Sequence, residues 1–336
     1  MFYAEAGGSE IEIVPWQNEL KRLKRQAEDD TSLNHGIPIL GGNATDYYTD
    51  YENITHDDHI YYNVTYFPPT ADYFKQYYFN VSAYLEKHKQ DGQLSGNPQL
   101  SNSYRRAVHF KLSFPFPFYG HTISNLTIAT GGFCYVGDHM HSWLAATQYL
   151  APLMSNFDTT RKEAKILHAD NGSMMAIEWR NVYLRHQESM GAFTFQTQLY
   201  SNGDIWFLYE KIPGPVADVS DAHHPRKVGL SDAYLFHHPL PTPAATDPTA
   251  KSKRVIYEYH RVEINLDRVV QNRVIRIKAL PTCIALKRCE ACASADLKHF
   301  KCHWCSVRES GRSFCSDDMG FHRLRQEWIS GHCKDQ

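Results

Sequence analysis

Seven of the eight cysteines lie between Cys283 and Cys333, and this cluster limits what the chain can fold into more sharply than any other feature. A segment of about fifty residues buries too little apolar surface to stay folded unaided, so a metal ion or cross-links must hold it. The pairs Cys289/Cys292 and Cys302/Cys305 have C-x-x-C spacing, and tetrahedral zinc accepts four thiolates so arranged. Zinc leaves Cys283, Cys315 and Cys333 without a role. A redox reading of Cys302-His303-Trp304-Cys305 lacks the strand-then-helix context that lowers a thiol pKa. Disulfides account for the most cysteines, at about 2 to 4 kcal/mol each, and they belong to an oxidising compartment.

The asparagines point the same way. N-x-[ST] occurs at Asn43, Asn53, Asn63, Asn80, Asn125 and Asn171, six of fifteen asparagines, where about two are expected if roughly an eighth of residues are Ser or Thr. No basic flank, apolar run and small-residue cleavage site open the sequence, so either a signal peptide has been removed or the protein is intracellular. The sequons and cysteines favour the first. The long uncharged run from Leu112 to Gly137 contains Pro115, Pro117, Gly120, Gly131 and Gly132, which suit strands and turns rather than a membrane helix. A formal charge of -2 over 336 residues creates no general attraction for polyanions, and no nucleic-acid partner is expected.

With 13% aromatic and 21% charged residues, the body of the chain suits strands better than a helical bundle. "KILHADNGSMMAIEW" predicts a hairpin turning at Asp170-Asn171-Gly172, and "AFTFQTQLYSNGDIWFLYE" another at Asn202-Gly203, where Asn-Gly tolerates positive φ. "AVHFKLSF", "RKVGLSDAYLF", "RVIYEYHRVEINL" and "NRVIRIKAL" add strands, while "SWLAATQYLAPLM" reads as a short helix. Upstream, "WQNELKRLKRQAEDD" has helix propensity, and its Arg22-Leu23-Lys24-Arg25 fits a convertase site as readily as a solvated helix face. Ten tyrosines fall between Thr45 and Tyr84. Tyr47, Tyr48 and Tyr51 sit among acids, as sulfated tyrosines do, although an unmodified adhesive loop also fits them. The expected divisions are an irregular or helical segment at 1–58, a β domain at 59–280 and a cysteine-rich module at 281–336.

The cysteine segment, C-x5-C-x2-C-x9-C-x-W-C followed by Cys315 and Cys333, resembles a PSI module, and Trp304 between paired cysteines is characteristic of one. The resemblance implies bridges Cys283–Cys302, Cys292–Cys315 and Cys305–Cys333, with Cys289 left over. A bridge from Cys289 to Cys134 would lock the module onto the β domain. In the rival arrangement Cys134 is a buried thiol and Cys289 links two chains. "TGGFCYVG", "YLAPLMSNFD", "GDIWFLYEKIP" and "KVGLSDA" resemble a nidogen-type (NIDO) domain. This order of domains is similar to that of the plexin domain-containing proteins, also called the tumour endothelial marker family. The resemblance implies a mainly β fold: an antiparallel β-sandwich-type NIDO-like domain, then a small disulfide-rich PSI module. It also implies the ectodomain of a single-pass type I cell-surface receptor or adhesion protein, anchored by a span beyond Gln336. Its partners would be a nidogen-type matrix glycoprotein or a serpin-like secreted factor, or a second copy of itself. A secreted matrix protein without signalling is the alternative, and a secreted enzyme a more distant one.

No Gly-rich phosphate loop, G-x-S-x-G elbow or H-E-x-x-H helix occurs, so no catalytic residue, metal or cofactor is expected. His139/His141, His223/His224 and His237/His238 are the densest imidazole pairs, each without a third ligand at clear spacing. Asp158 and Asp232 read as turn caps. In "GFHRLRQEW", Trp328 reads as core, with Arg323 and Arg325 solvated.

Overall fold

The computed structural model describes a strand at 11–14 and residues 53–88, 94, 96–137, 147–239 and 252–336. Asn43, Tyr47, Tyr48, Tyr51, the Arg22–Arg25 site, His139 and His141 lie outside the described residues. The strands are β1 (Ile11–Val14), β2 (Thr55–Asp58), β3 (Tyr62–Phe67), β4 (Ala107–Phe118), β5 (His121–Ala129) and β6 (Phe133–Tyr135). They continue as β7 (Tyr149–Met154), β8 (Phe157–Asp158), β9 (Lys165–Asp170), β10 (Met174–Leu184), β11 (Ala192–Tyr200) and β12 (Ile205–Lys211). The last five are β13 (Lys227–Pro239), β14 (Ser252–Glu263), β15 (Val274–Ala279), β16 (Cys302–Val307) and β17 (Arg312–Asp317). Among the described residues the α-helices are α1 (Ala71–Tyr77), α2 (Val81–Lys87), α3 (Cys289–Ala293) and α4 (Arg325–Ser330).

The chain forms two compact units that are not consecutive in sequence. The larger takes Tyr48–Leu230 and Val262–Pro281; the smaller takes Met1–Tyr47, Ser231–Arg261 and Thr282–Gln336. Strands β13 and β14 therefore run through both, and the cysteine-rich segment belongs to a unit that also owns most of these two strands.

The larger unit is an antiparallel sandwich. One sheet has the order β7-β6-β5-β4, and the other runs β2-β3-β15-β12-β11-β10-β8 with β9 also on β10. The sheets are joined through Trp179 on β10, fully buried, whose indole Nε1 donates to the Ala129 carbonyl on β5 at 2.9 Å. The Phe195 ring stacks on Trp179 at 5.4 Å. Tyr209, also buried, donates its hydroxyl to the Pro152 carbonyl at 2.7 Å, so neither polar tip is orphaned. Gly132 admits the close approach: its φ is +80°, and a Cβ there would fall 2.0 Å from the Leu153 carbonyl oxygen.

Both expected hairpins form. The β9–β10 turn is closed by the Asn171 amide oxygen, which accepts from the backbone of Ser173 and Met174, and Gly203 at the β11–β12 turn has φ +91°. Of the expected helix at 142–154, residues 142–146 lie outside the described residues, and Tyr149–Met154 form a strand instead. All six residues of β7 are buried, and a strand covered on both faces loses the alternation that would mark it. The described part of the tyrosine-rich stretch forms a strand and two helices. Tyr62 and Tyr66 are core residues of β3, and α1 and α2 follow, capped by Thr70 and Asn80. Helix α1 packs through Phe74 against Phe67, Leu208 and Val274, and α2 through Val81 and Leu85 against Leu167 and Met174.

A buried polar row docks these helices on β10 and β11. Glu178, with no exposure, accepts from Tyr78 at 2.8 Å, Gln196 at 3.1 Å and Arg180 at 2.5 Å. Gln196 and Gln198 donate to the carbonyls of Phe79 and Tyr77. Every member of the row is satisfied, which is the condition for a buried polar network to rigidify rather than weaken a fold.

In the smaller unit, β1 pairs with β14 in parallel, Ile11 opposite Arg254 through Val14 opposite Tyr257, and β16 and β17 form a two-stranded antiparallel ribbon.

Candidate functional site

Three disulfides close the cysteine module: Cys283–Cys302, Cys292–Cys315 and Cys305–Cys333. Zinc is thereby ruled out, because three of its four proposed ligands, Cys292, Cys302 and Cys305, have no thiolate to give. Among the described residues the group of ligand atoms placed closely enough for a metal is Cys283, Cys302 and Cys315, all three of them bridged. The two disulfides of that group form a small core with Leu286, Leu297, Phe300 and Trp304. A second cluster gathers Ile284, Val307, Phe314 and Trp328 around Cys305–Cys333. Gly320 lies under Trp328 with φ +63°, where a Cβ would come within 2.5 Å of the indole.

The Cys134 to Cys289 bridge is not formed; both residues are free. Cys134 sits on β6, opposite Ile128 and Leu150, with no exposure. Burial pushes its thiol pKa up, which keeps it protonated and inert. Cys289 is exposed at the start of α3.

Asp232 and Arg323 were expected at a turn and in solvent, and neither is there. Asp232 lies on β13 with no exposure and receives the Arg323 guanidinium at 2.9 Å from both Nε and Nη2, while the Tyr259 hydroxyl donates to it at 2.7 Å. Removing one partner of such a buried pair leaves an uncompensated charge, at a cost of about 3 to 5 kcal/mol. This contact, within the smaller unit, ties the cysteine module to β13 and β14. Arg325 lies over the Trp328 ring, 4.5 Å from its centroid.

Asn53, Asn80, Asn125 and Asn171 are exposed, and Asn63 is partly so. At Asn80 and Asn171 the amide oxygen is engaged by neighbouring backbone N–H groups, which leaves the nitrogen, the atom a glycan would take, turned away from those donors.

At one end of the sandwich, strand register assembles a group of cations from distant parts of the sequence. Tyr183 on β10 stands opposite Asp158 on β8, and Tyr104 bridges to Asp158 as well. Asp158 is buried; it accepts from Thr160 as a turn cap and also from Arg185 at 3.2 Å. The Arg185 and Arg105 guanidiniums lie 4.9 and 5.2 Å from the centroid of the Tyr104 ring, and Arg161 lies 4.1 Å from that of Tyr183. Tyr104 is held in turn by Asn156 at 2.8 Å. Next to this group Lys162, Glu163, Lys165, Arg180 and Asn181 line an open hollow of about 440 Å³, with Arg180 opposite Lys165 in the β9–β10 register. Glu188 is held below the usual carboxylate range by its own backbone N–H and that of His186, with His186 and Arg161 adding to the effect. Arg105 and His186 both have positive φ, +53° and +69°. For arginine that conformation costs energy that surrounding structure must offset.

The histidine pairs do not come together as ligands among the described residues. His223 is exposed beside His186, with ring centroids 5.1 Å apart, and its carbonyl accepts from Arg105. His224 places Nδ1 2.9 Å from the Pro225 carbonyl, and burial lowers its pKa. His237 uses its backbone N–H on Gln326 at 3.4 Å.

Nothing in the sequence marks the arginine group, because Arg105, Arg161 and Arg185 are dozens of residues apart. The alternating Gln196 and Gln198 of "FTFQTQLY" were a usable sign of the buried polar row, since on a strand such positions share one face.

Among known proteins, residues 76–263, more than half of the chain, match the model of a family described as NIDO related. The match is to an extracellular domain of adhesion type. No solved structure matches the chain.

Proposed function

Because the chain belongs to the NIDO-related family, we propose that it is the ectodomain of a single-pass cell-surface receptor or adhesion protein that binds extracellular protein ligands. The observation that carries this reading is the set of three disulfides closed within 51 residues, Cys283 to Cys333, just beyond the matched region. Cross-links of that density belong to secretory chains. The exposure of four sequon asparagines supports it further.

In this reading the cysteine module is a PSI module and serves as a rigid spacer before a membrane span beyond Gln336, in type I topology. The sandwich supplies the binding surface. By the resemblance of its motifs, its ligands are matrix glycoproteins of the nidogen type or a serpin-like secreted factor. Self-association would run through the exposed thiol of Cys289. The reading assigns the chain no reaction.

The test is expression of the full-length transcript with an extracellular tag, followed by surface biotinylation, glycosidase treatment and non-reducing electrophoresis. A biotinylated, glycosidase-sensitive product in the membrane fraction is expected. A product found wholly in the medium would make it a matrix protein, and an unglycosylated cytosolic one would overturn the reading. A reducible dimer that disappears in Cys289→Ser is expected if Cys289 joins two copies.

A further inference from the structure

We propose that the arginine group at the end of the sandwich, together with the adjoining hollow, binds a linear sulfated glycan. The inference rests on the extracellular reading above and adds a ligand class to it.

Charge and placement carry the argument. Arg105, Arg161, Lys162, Lys165 and Arg185 face three carboxylates, Asp158, Glu163 and Glu188, so the local balance is positive although the whole chain carries -2. Asp158 is buried beneath Arg185, and Arg180 at the hollow is paired with Glu178, with Glu210 near both, so the positive balance rests on Arg105, Arg161, Lys162 and Arg185, beside the outward Glu163 and Glu188.

The cations are strung along a line, not gathered round a point. Arg180 lies on β10 opposite Lys165, and Arg185 follows the last residue of that strand, past an irregularity at Asn181, where φ is +50°, with Arg105 beside it over the Tyr104 ring. A single enclosed anion would need convergent donors in a closed cavity. An open row suits a polymer with repeated negative charges. Asn80, two residues before the Ser82 hydroxyl that receives Arg180, is a sequon, so a glycan there would bound the row at that end.

The chemistry favours sulfate. Guanidinium presents a planar fork of N–H donors that matches the oxygens of a tetrahedral oxyanion, and it is only weakly hydrated. All three arginines are already ordered on tyrosine faces, which reduces the side-chain entropy lost on binding. The positive φ at Arg105 and His186 shows backbone held in costly conformations at the same place. In the extracellular space, a polymer that repeats such oxyanions is a sulfated polysaccharide.

The test uses the secreted full chain and a fluorescent, size-defined heparin-derived oligosaccharide, titrated by anisotropy in 0.15 M NaCl. Saturable binding that weakens with added salt is expected, together with a loss of at least tenfold in Arg161→Glu/Lys162→Glu and less than twofold in Lys301→Glu/Arg308→Glu, an exposed pair in the cysteine module. Arg161→Gln/Lys162→Gln should lose an intermediate amount, and serves if the reversal disturbs folding, which a thermal melt will show. A desulfated oligosaccharide should not bind. The proposal falls if wild type does not saturate, if the Arg161/Lys162 variants bind within threefold of wild type, or if both sites lose equally. Glycosidase-induced mass shifts on the same secreted sample report the extracellular reading separately, so the two can fail independently.

Discussion

The sandwich and the cysteine module are stabilised by different means. The sandwich buries Trp179, Phe157, Phe193, Phe195 and Phe207 almost completely and keeps its one cysteine as an enclosed thiol. The module, with far fewer buried side chains, commits six of its seven cysteines to bridges and arranges its small apolar clusters around them. A core of aromatic side chains grows with the size of a domain, and below some seventy residues cross-links must replace it. The comparison implies that each region yields to a different insult.

Reduction is the strongest test. With three bridges at about 2 to 4 kcal/mol each, removing them exceeds what so small a core supplies, and the module should unfold. Hydrogen exchange in the presence of dithiothreitol is expected to expose the amides of β16, β17 and α4, while those of β10, β11 and β12 keep their protection. Loss of protection in both regions together would break the comparison.

The complementary insult is a cavity in the sandwich. Trp179→Ala removes the largest fully buried side chain among the described residues and the donor to the Ala129 carbonyl. It should cost about 3 to 5 kcal/mol in denaturant unfolding, while peptide mapping still finds all three disulfides. A cost below about 1 kcal/mol would mean that the two sheets are held together elsewhere.

What could be read in the sequence follows from how local each feature is. The turns at Asp170–Gly172 and Asn202–Gly203 are written in adjacent residues, and both hairpins form. Tyr149–Met154 misleads because a fully buried strand has no polar face to show its period. The Asp232–Arg323 pair spans 91 positions, and the arginine group draws on three separate segments, so only the folded chain reveals them. For Cys134, sequence counts the thiol but does not report its burial.

Acid should sharpen the contrast at a smaller scale. In the module His322 is buried, its Nδ1 accepts from the Leu324 N–H, and its Nε2 therefore carries the proton and donates to Ser316. Burial, with the Arg325 charge adding, lowers its pKa to about 3. The unfolded chain takes a proton near pH 6.5 and the folded module does not, so stability is lost as pH falls from about 6.5 toward 3, at about 1.4 kcal/mol per pH unit. Asp317, raised by burial, works in the opposite direction, but nearer the carboxylate range. Between pH 7 and 5 the module should lose about 2 kcal/mol, read by exchange at α4, and His322→Gln should remove most of that dependence. In the sandwich, His168 and His224 are lowered too, with burial the main cause, so a similar slope at β10 would weaken the contrast.

The smallest effect separates stability from glycosylation within the sandwich. Asn80 caps α2 by accepting the Ala83 N–H at 2.9 Å, and it is also a sequon. Asn80→Ala loses both roles and should cost about 1 kcal/mol. Asn80→Asp keeps an oxygen at the cap and adds charge at the positive end of the helix, so it should cost almost nothing. Both should lose the same glycan mass. If the two variants are instead destabilised equally, the glycan and not the cap is what holds α2 on β9 and β10.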